Sequence, residues 1–184
     1  MTLVEQPYKH YLKENFFEPT ALQFVNEFLS NCNWSFFEDE NFPQFISERK
    51  QVEDFFVLNS NTKEQFSFLL DSSFIQQLEN LFPTALKECV SISFHKMTAG
   101  CFNVVHNDHN SNGEQLRIVC YLTDPTNYEG GELQLFSLSN QSSSVTSYKL
   151  NTNTAFIFSM TENALHSVSE VLSGERVCLV ITYK

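Results

Sequence analysis

From Cys89 to the C-terminus the chain is a series of short apolar runs separated by turn residues, and this pattern most restricts what it can fold into. The runs span 90–97, 101–106, 116–122, 132–138, 145–150, 154–159, 165–171 and 176–183. Turn signals fall between them at Asn112-Gly113, Asp124-Pro125, Gly130-Gly131 and Ser173-Gly174. Each run has the length of one strand, and strands at this spacing form a closed or sandwich-like β architecture. The pattern predicts a jelly-roll core over residues 89–184.

Residues 1–88 read differently. Pro19 suits a first helical position, Leu22, Val25, Phe28 and Leu29 follow at helical spacing, and Asn31 to Asn33 end the segment. A second helix is predicted from about Ser73, with Phe74, Ile75, Leu78, Leu81 and Phe82 on one stripe and Pro83 as its stop. Trp34, Phe36, Phe37, Phe42, Phe45, Phe55 and Phe56 crowd residues 34–58, which show no clear period and are read as core. Asn59 to Glu64 is polar and reads as a loop. The chain is thus read as a single domain over 1–184, mainly β with flanking helices (α+β): a helical and mixed support region, 1–88, packed against the β core, 89–184.

A length of 184 residues with 42% hydrophobic content suits one globular core. The net charge of −11 argues against a nucleic-acid partner, because phosphate binding draws on Lys and Arg. The five cysteines are odd in number, widely spaced and form no CxxC, which reads as reduced thiols in a cytoplasmic protein. Met1 to Gln6 has no basic start or apolar run of a signal peptide, and no stretch reaches the ~20 apolar residues of a membrane span, so no membrane partner is expected.

The chemistry-bearing residues lie in the β-rich half. On a strand, residues i and i+2 share a face, so His106 and Asp108 of His106-Asn107-Asp108 project together. His166 arrives much later, with room for several strands between. Two imidazoles and one carboxylate leave coordination positions open, a donor set that suits non-haem Fe(II) chemistry. Arg176 begins a closing strand and shares a face with Cys178, Val180 and Thr182. If that face is interior, the guanidinium needs a paired anion, and its planar fork suits a dicarboxylate. Each residue also has a plainer place: His166 as a core histidine bonded to backbone, Arg176 in a surface pair with Glu170 or Glu175, Tyr121 as an ordinary strand aromatic. His109 should face away from Asp108, at the surface or around the ligands. His10 and His95 read as core or surface, and Cys101, Cys120 and Cys178 as small buried hydrophobes.

Four segments in order carry a resemblance: Gly100 followed by His106-Asn107-Asp108; Arg117 through Asp124; Glu129-Gly130-Gly131-Glu132-Leu133; and Leu165-His166-Ser167-Val168 with Arg176 after it. From about Val90 to Lys184 they resemble the Fe(II)- and 2-oxoglutarate-dependent dioxygenases, in the prolyl-4-hydroxylase-like branch. Met97 stands nearest to a tyrosine that many relatives carry upstream of the glycine, and Thr123 stands where asparagine is common.

The resemblance implies a double-stranded β-helix with the N-terminal helices packed against it. Fe(II) would be bound by His106, Asp108 and His166. The far carboxylate of 2-oxoglutarate would rest on Arg176, with the Tyr121 hydroxyl as a second donor. O2 is the co-reactant and ascorbate a candidate reductant. Asp108 argues against the related halogenases, where a small residue makes room for halide. The implied activity is hydroxylation of a C–H bond, of a prolyl or other amino-acid residue in a peptide or protein, with succinate and CO2 as coproducts. A free amino acid or small metabolite is the alternative substrate. A non-catalytic, cupin-like metal or small-molecule binding module is the alternative of another class. Oligomeric state is left open.

Overall fold

The computed structural model describes residues 1–47, 50–51 and 66–184. The N-terminal part forms β1 (Thr2–Val4), β2 (His10–Lys13), helix α1 (Pro19–Ser30), β3 (Trp34–Phe37), β4 (Gln44–Ser47) and β5 (Lys50–Gln51). Helix α2 (Ser72–Leu81) leads into the β-rich half. There follow β6 (Cys89–Thr98), β7 (Asn103–His106), β8 (Leu116–Tyr121), β9 (Tyr128–Gly130) and β10 (Leu133–Leu135). The chain closes with β11 (Thr146–Tyr148), β12 (Thr154–Ser159), β13 (His166–Val168) and β14 (Val171–Tyr183).

The strands form two antiparallel sheets. The larger runs β1-β2-β12-β8-β14-β6-β4-β3, with β5 also on β6 and β9 also on β14; the smaller runs β11-β10-β13-β7. Alternation along each central strand decides which layer a side chain joins. On β8, Leu116, Ile118 and Cys120 point to the core shared with Ala21 and Val25 of α1 and Phe74 and Leu78 of α2. Arg117, Val119 and Tyr121 point the other way, into a cavity between the sheets. β14 repeats the division, with Leu179, Ile181 and Tyr183 toward the helices and Arg176, Cys178 and Val180 toward the cavity. β12 is buried on both faces, Ala155 and Ile157 against the helical layer and Phe156 and Phe158 against the smaller sheet. Each such buried Leu, Ile or Phe contributes roughly 1.5–3 kcal/mol. The helices therefore cover the outer face of the large sheet and leave its inner face for chemistry.

Helix α2 ends at Leu81 because Phe82 turns extended ahead of Pro83 (ψ 126°), where the α region is disfavoured. The aromatic stretch read as core is in its described part a hairpin, β3 with β4, at the edge of the large sheet. Phe36 and Phe37 are 50% and 48% exposed there, so they are not core. Phe55, Phe56 and Asn59 to Glu64 lie outside the described residues. β1 and β2 were not legible in a region read as helical and mixed: His10–Lys13 becomes a strand because β12 offers it a ladder, not because of its own residues.

The runs 165–171 and 176–183 are divided differently. The first breaks after Val168, and the chain enters the large sheet at Val171, so β14 is 13 residues long. Ser173-Gly174 is not a turn but part of β14, at a register shift against β9. Gly174 has φ +76°, and its missing side chain lets the Asn127 carbonyl come close. Runs 132–138 and 145–150 shrink to Leu133–Leu135 and Thr146–Tyr148, because Ser137, Ser139 and Asn140 bond among themselves and with Ser142 and Ser143 as a loop. No helix among the described residues is long and apolar enough to cross a membrane.

Candidate metal centre

β7 and β13 are antiparallel neighbours, and His106 and His166 are direct partners across them. Their ring centroids lie 4.3 Å apart. Nδ1 of His106 donates to the Val104 carbonyl and Nδ1 of His166 to the Ala164 carbonyl, both at 2.8 Å. A carbonyl only accepts, so in the neutral rings the proton sits on Nδ1 and Nε2 carries a bare lone pair. Burial pushes His166 down to about 4, against the pull of Asp108, so this ring is neutral at physiological pH.

β7 ends at His106, and Asp108 follows just beyond the strand rather than on it. Its carboxylate still meets both rings, Oδ1 at 3.6 Å from His106 Nε2 and Oδ2 at 3.5 Å from His166 Nε2. One donor atom from each of the three residues falls within 4.8 Å of the others. Burial raises the Asp108 carboxyl, but Arg117 first, then His166 and His106, outweigh it and hold it below the usual range. Phe42 meets His106 edge-on at 4.9 Å and Phe158 meets His166 at 5.2 Å, so both rings are held by aromatics. An anionic oxygen with two imidazole nitrogens fits Fe(II).

Across the cavity, Arg176 is buried, and its cross-strand partner on β6 is Met97. Nη2 donates to the Tyr121 hydroxyl at 3.1 Å, Nη1 lies 3.3 Å from Met97 Sδ, and Nε has no partner. No carboxylate pairs with this guanidinium among the described residues. Glu175, one of the two surface partners considered for it, instead lies 3.8 Å from Lys96. The cavity between Arg176 and the three donors is about 460 Å³. The five residues singled out from sequence, His106, Asp108, His166, Arg176 and Tyr121, all line it.

Family membership follows from the β-rich half. The family model described as the 2OG-Fe(II) oxygenase superfamily matches residues 92–184, half of the chain. The chain belongs to the 2OG-Fe(II) oxygenase superfamily. Membership makes this oxygenase an enzyme of the Fe(II)- and 2-oxoglutarate-dependent class, which displaces the non-catalytic, cupin-like alternative. The fold is similar to an oxidoreductase of the 2OG-Fe(II) oxygenase family from Burkholderia pseudomallei (TM-score 0.72, 16% identity, 95% of this chain and 85% of that one). It is similar to a prolyl-4-hydroxylase from Pseudomonas putida (TM-score 0.64, 12% identity, 95% and 91%). A third likeness is to a prolyl hydroxylase from Trichoplax adhaerens, solved with a hypoxia inducible factor oxygen degradation domain peptide fragment (TM-score 0.65, 16% identity, 95% and 82%). At these identities the likeness is one of fold. No curated protein sequence matches the chain.

Arg117, Phe42 and Phe158 line the cavity and were not singled out from sequence as site residues. Arg117 pairs with Asp108 at 2.6 Å, and its signal was available, since it shares strand parity with Tyr121. Phe42 and Phe158 had no signal beyond being aromatic. His109 lines the cavity but bonds to the Met160 carbonyl through Nδ1 at 3.1 Å. His95 also lines it, bonded to Ser93 and Gln44. His10 is fully buried, between the Tyr8 carbonyl and the Tyr148 hydroxyl.

Proposed function

We propose that this oxygenase hydroxylates a C–H bond of a prolyl or other amino-acid residue in a peptide or protein. His106, Asp108 and His166 would hold Fe(II), and Arg176 with Tyr121 would hold the far carboxylate of 2-oxoglutarate. The observation that carries the reading is Arg176: a buried guanidinium with an unpartnered Nε and no carboxylate among the described residues. A buried charge left so is costly, and a dicarboxylate supplies the missing partner.

Fe(II) with 2-oxoglutarate and O2 supplies the oxidation when bound, with succinate and CO2 as coproducts. The chain's own groups orient and exclude. Arg176 and Tyr121 would hold one end of the diacid in the cavity that the three donors also line. Cys178, Val119, Leu133 and Val168 give that cavity dry walls. The neutral His166 offers its lone pair without first losing a proton.

A peptide is favoured over a free metabolite by the mouth. Phe37 and Phe42 of the β3–β4 region line it, and Phe37 is half exposed, as suits a substrate that extends past the cavity. Purified protein with Fe(II), 2-oxoglutarate and ascorbate should form succinate slowly without substrate, and Asp108→Ala should abolish this. Normal turnover by that variant would overturn the site assignment. Screening peptides and free amino acids for the gain of one oxygen atom separates the two substrate classes.

A further inference from the structure

Arg117 projects from the middle of the large sheet, where its backbone is flanked by Phe158 on β12 and Thr182 on β14. Its Nη1 lies 2.6 Å from Asp108 Oδ1, much closer than either histidine does. On its other side Nη2 lies 3.6 Å from Glu114 Oε2. Glu114 is itself held by Asn110, whose Nδ2 donates to Oε2 at 2.9 Å. The same Asn110 amide group reaches the Asp108 carbonyl at 3.3 Å. These contacts close a ring: Asp108 to Arg117, to Glu114, to Asn110, and back to Asp108. All four residues line the cavity.

We propose that Arg117 is the positioning residue for the Asp108 carboxylate, engaging Oδ1 and leaving Oδ2, the oxygen nearer His166, as the one offered to a metal. The inference rests on the metal-centre reading above. A carboxylate can bind a metal through one oxygen or two, and the second mode fills a position that a chelating cosubstrate and O2 need. A guanidinium fixed on Oδ1 by a rigid strand opposes the second mode. It also holds the carboxylate plane, which the peptide after β7 does not, because Asp108 lies off the strand. Glu114 offsets the positive charge that this device places beside a cation site.

The sign of one measurement separates positioning from mere charge. Arg117 is a cation next to a metal site, so as a charge alone its removal should tighten metal binding. As a positioning group its removal should loosen it, by about tenfold or more, the usual size for a partner of a metal ligand. The test is the dissociation constant for Mn(II), by electron paramagnetic resonance or calorimetry, in the full chain without cosubstrate. Arg117→Gln and Arg117→Lys should both bind Mn(II) at least about tenfold more weakly, since lysine keeps the charge but loses the fork. The Mn(II) spectrum of both should change, with thermal stability close to wild type. Asn110→Ala changes no charge but removes the amide that holds Glu114 and the Asp108 carbonyl, and should weaken binding in the same direction by less; it carries the test if the Arg117 variants do not fold. Unchanged or tighter binding in the variants overturns this inference and leaves the metal centre standing. Failure of the wild-type chain to bind Mn(II) overturns both.

Discussion

Gly131 lies directly against the side chain of Arg176: a Cβ built on Gly131 would sit 3.1 Å from Arg176 Cδ, with Val171 at 3.1 Å and Tyr128 at 3.2 Å on its other sides. Its φ of +67° is also one that an L side chain resists. Gly131 is therefore part of the seat of the guanidinium, not only of a turn. Gly131→Ala should cost about 1–2 kcal/mol from the backbone alone. Because Arg176 must shift to admit the methyl group, the KM for 2-oxoglutarate should rise as well. Thermal denaturation and cosubstrate-dependent succinate formation measure the two effects. A variant that loses stability with no change in KM would show that Arg176 does not hold the diacid.

Arg176 itself should show opposed effects on stability and function. Its charge is buried with incomplete partners. Replacing such a group with an apolar one of similar length is often neutral or stabilising. Arg176→Met is expected to keep or raise the melting temperature of the cosubstrate-free protein. The same change should remove the thermal stabilisation that 2-oxoglutarate gives the wild type, which follows mass action on the folded form. Equal stabilisation of both proteins by the diacid would place its binding elsewhere.

Tyr121→Phe is the milder companion. It deletes the hydroxyl that accepts from Nη2 at 3.1 Å and keeps the ring that the guanidinium overlies at 4.9 Å. A hydrogen bond involving a charged group contributes about 1.5–3 kcal/mol. The KM for 2-oxoglutarate should therefore rise roughly tenfold or more, with little change in kcat. A drop in kcat at saturating cosubstrate would instead give Tyr121 a part in the reaction itself.

The three candidate donors and Arg176, which come together around one cavity, were legible because their signal is local: a His-x-Asp pair, a histidine at the head of a strand, an arginine on an apolar face. Strand parity also placed Cys178 and Val180 beside Arg176. What was not legible depends on partners remote in sequence. His10–Lys13 is a strand because β12 pairs with it. Phe42 matters because the β3–β4 hairpin carries it onto His106. The end of β7 at His106 was not legible either, so Asp108 meets the histidines from a loop. On that loop its carboxylate is met by Arg117 at 2.6 Å.

His10 gives a prediction about pH that does not involve the candidate metal ligands. Its ring is fully buried, with Nδ1 donating to the Tyr8 carbonyl at 2.8 Å and Nε2 at 3.0 Å from the Tyr148 hydroxyl. Burial lowers its proton affinity, against the Tyr8 carbonyl, which raises it. The folded state then binds fewer protons than the unfolded state, whose histidine titrates near ~6.5. Acidification must favour unfolding: the stability linked to His10 is complete above that unfolded value and is lost as pH falls toward the lower folded one. Urea denaturation of metal-free wild type and His10→Gln between about pH 5 and 8 isolates this residue, since all other titrations cancel in the difference. The wild type should be the more stable at the alkaline end, where both hydrogen bonds of the neutral ring are made. Its advantage should shrink as pH falls through the low sixes, because only the wild type has a ring to protonate there. A difference that stays constant across the range would mean that His10 remains neutral in the unfolded chain or charged in the folded one. The second case conflicts with its hydrogen-bond partners among the described residues, a carbonyl and a hydroxyl and no carboxylate.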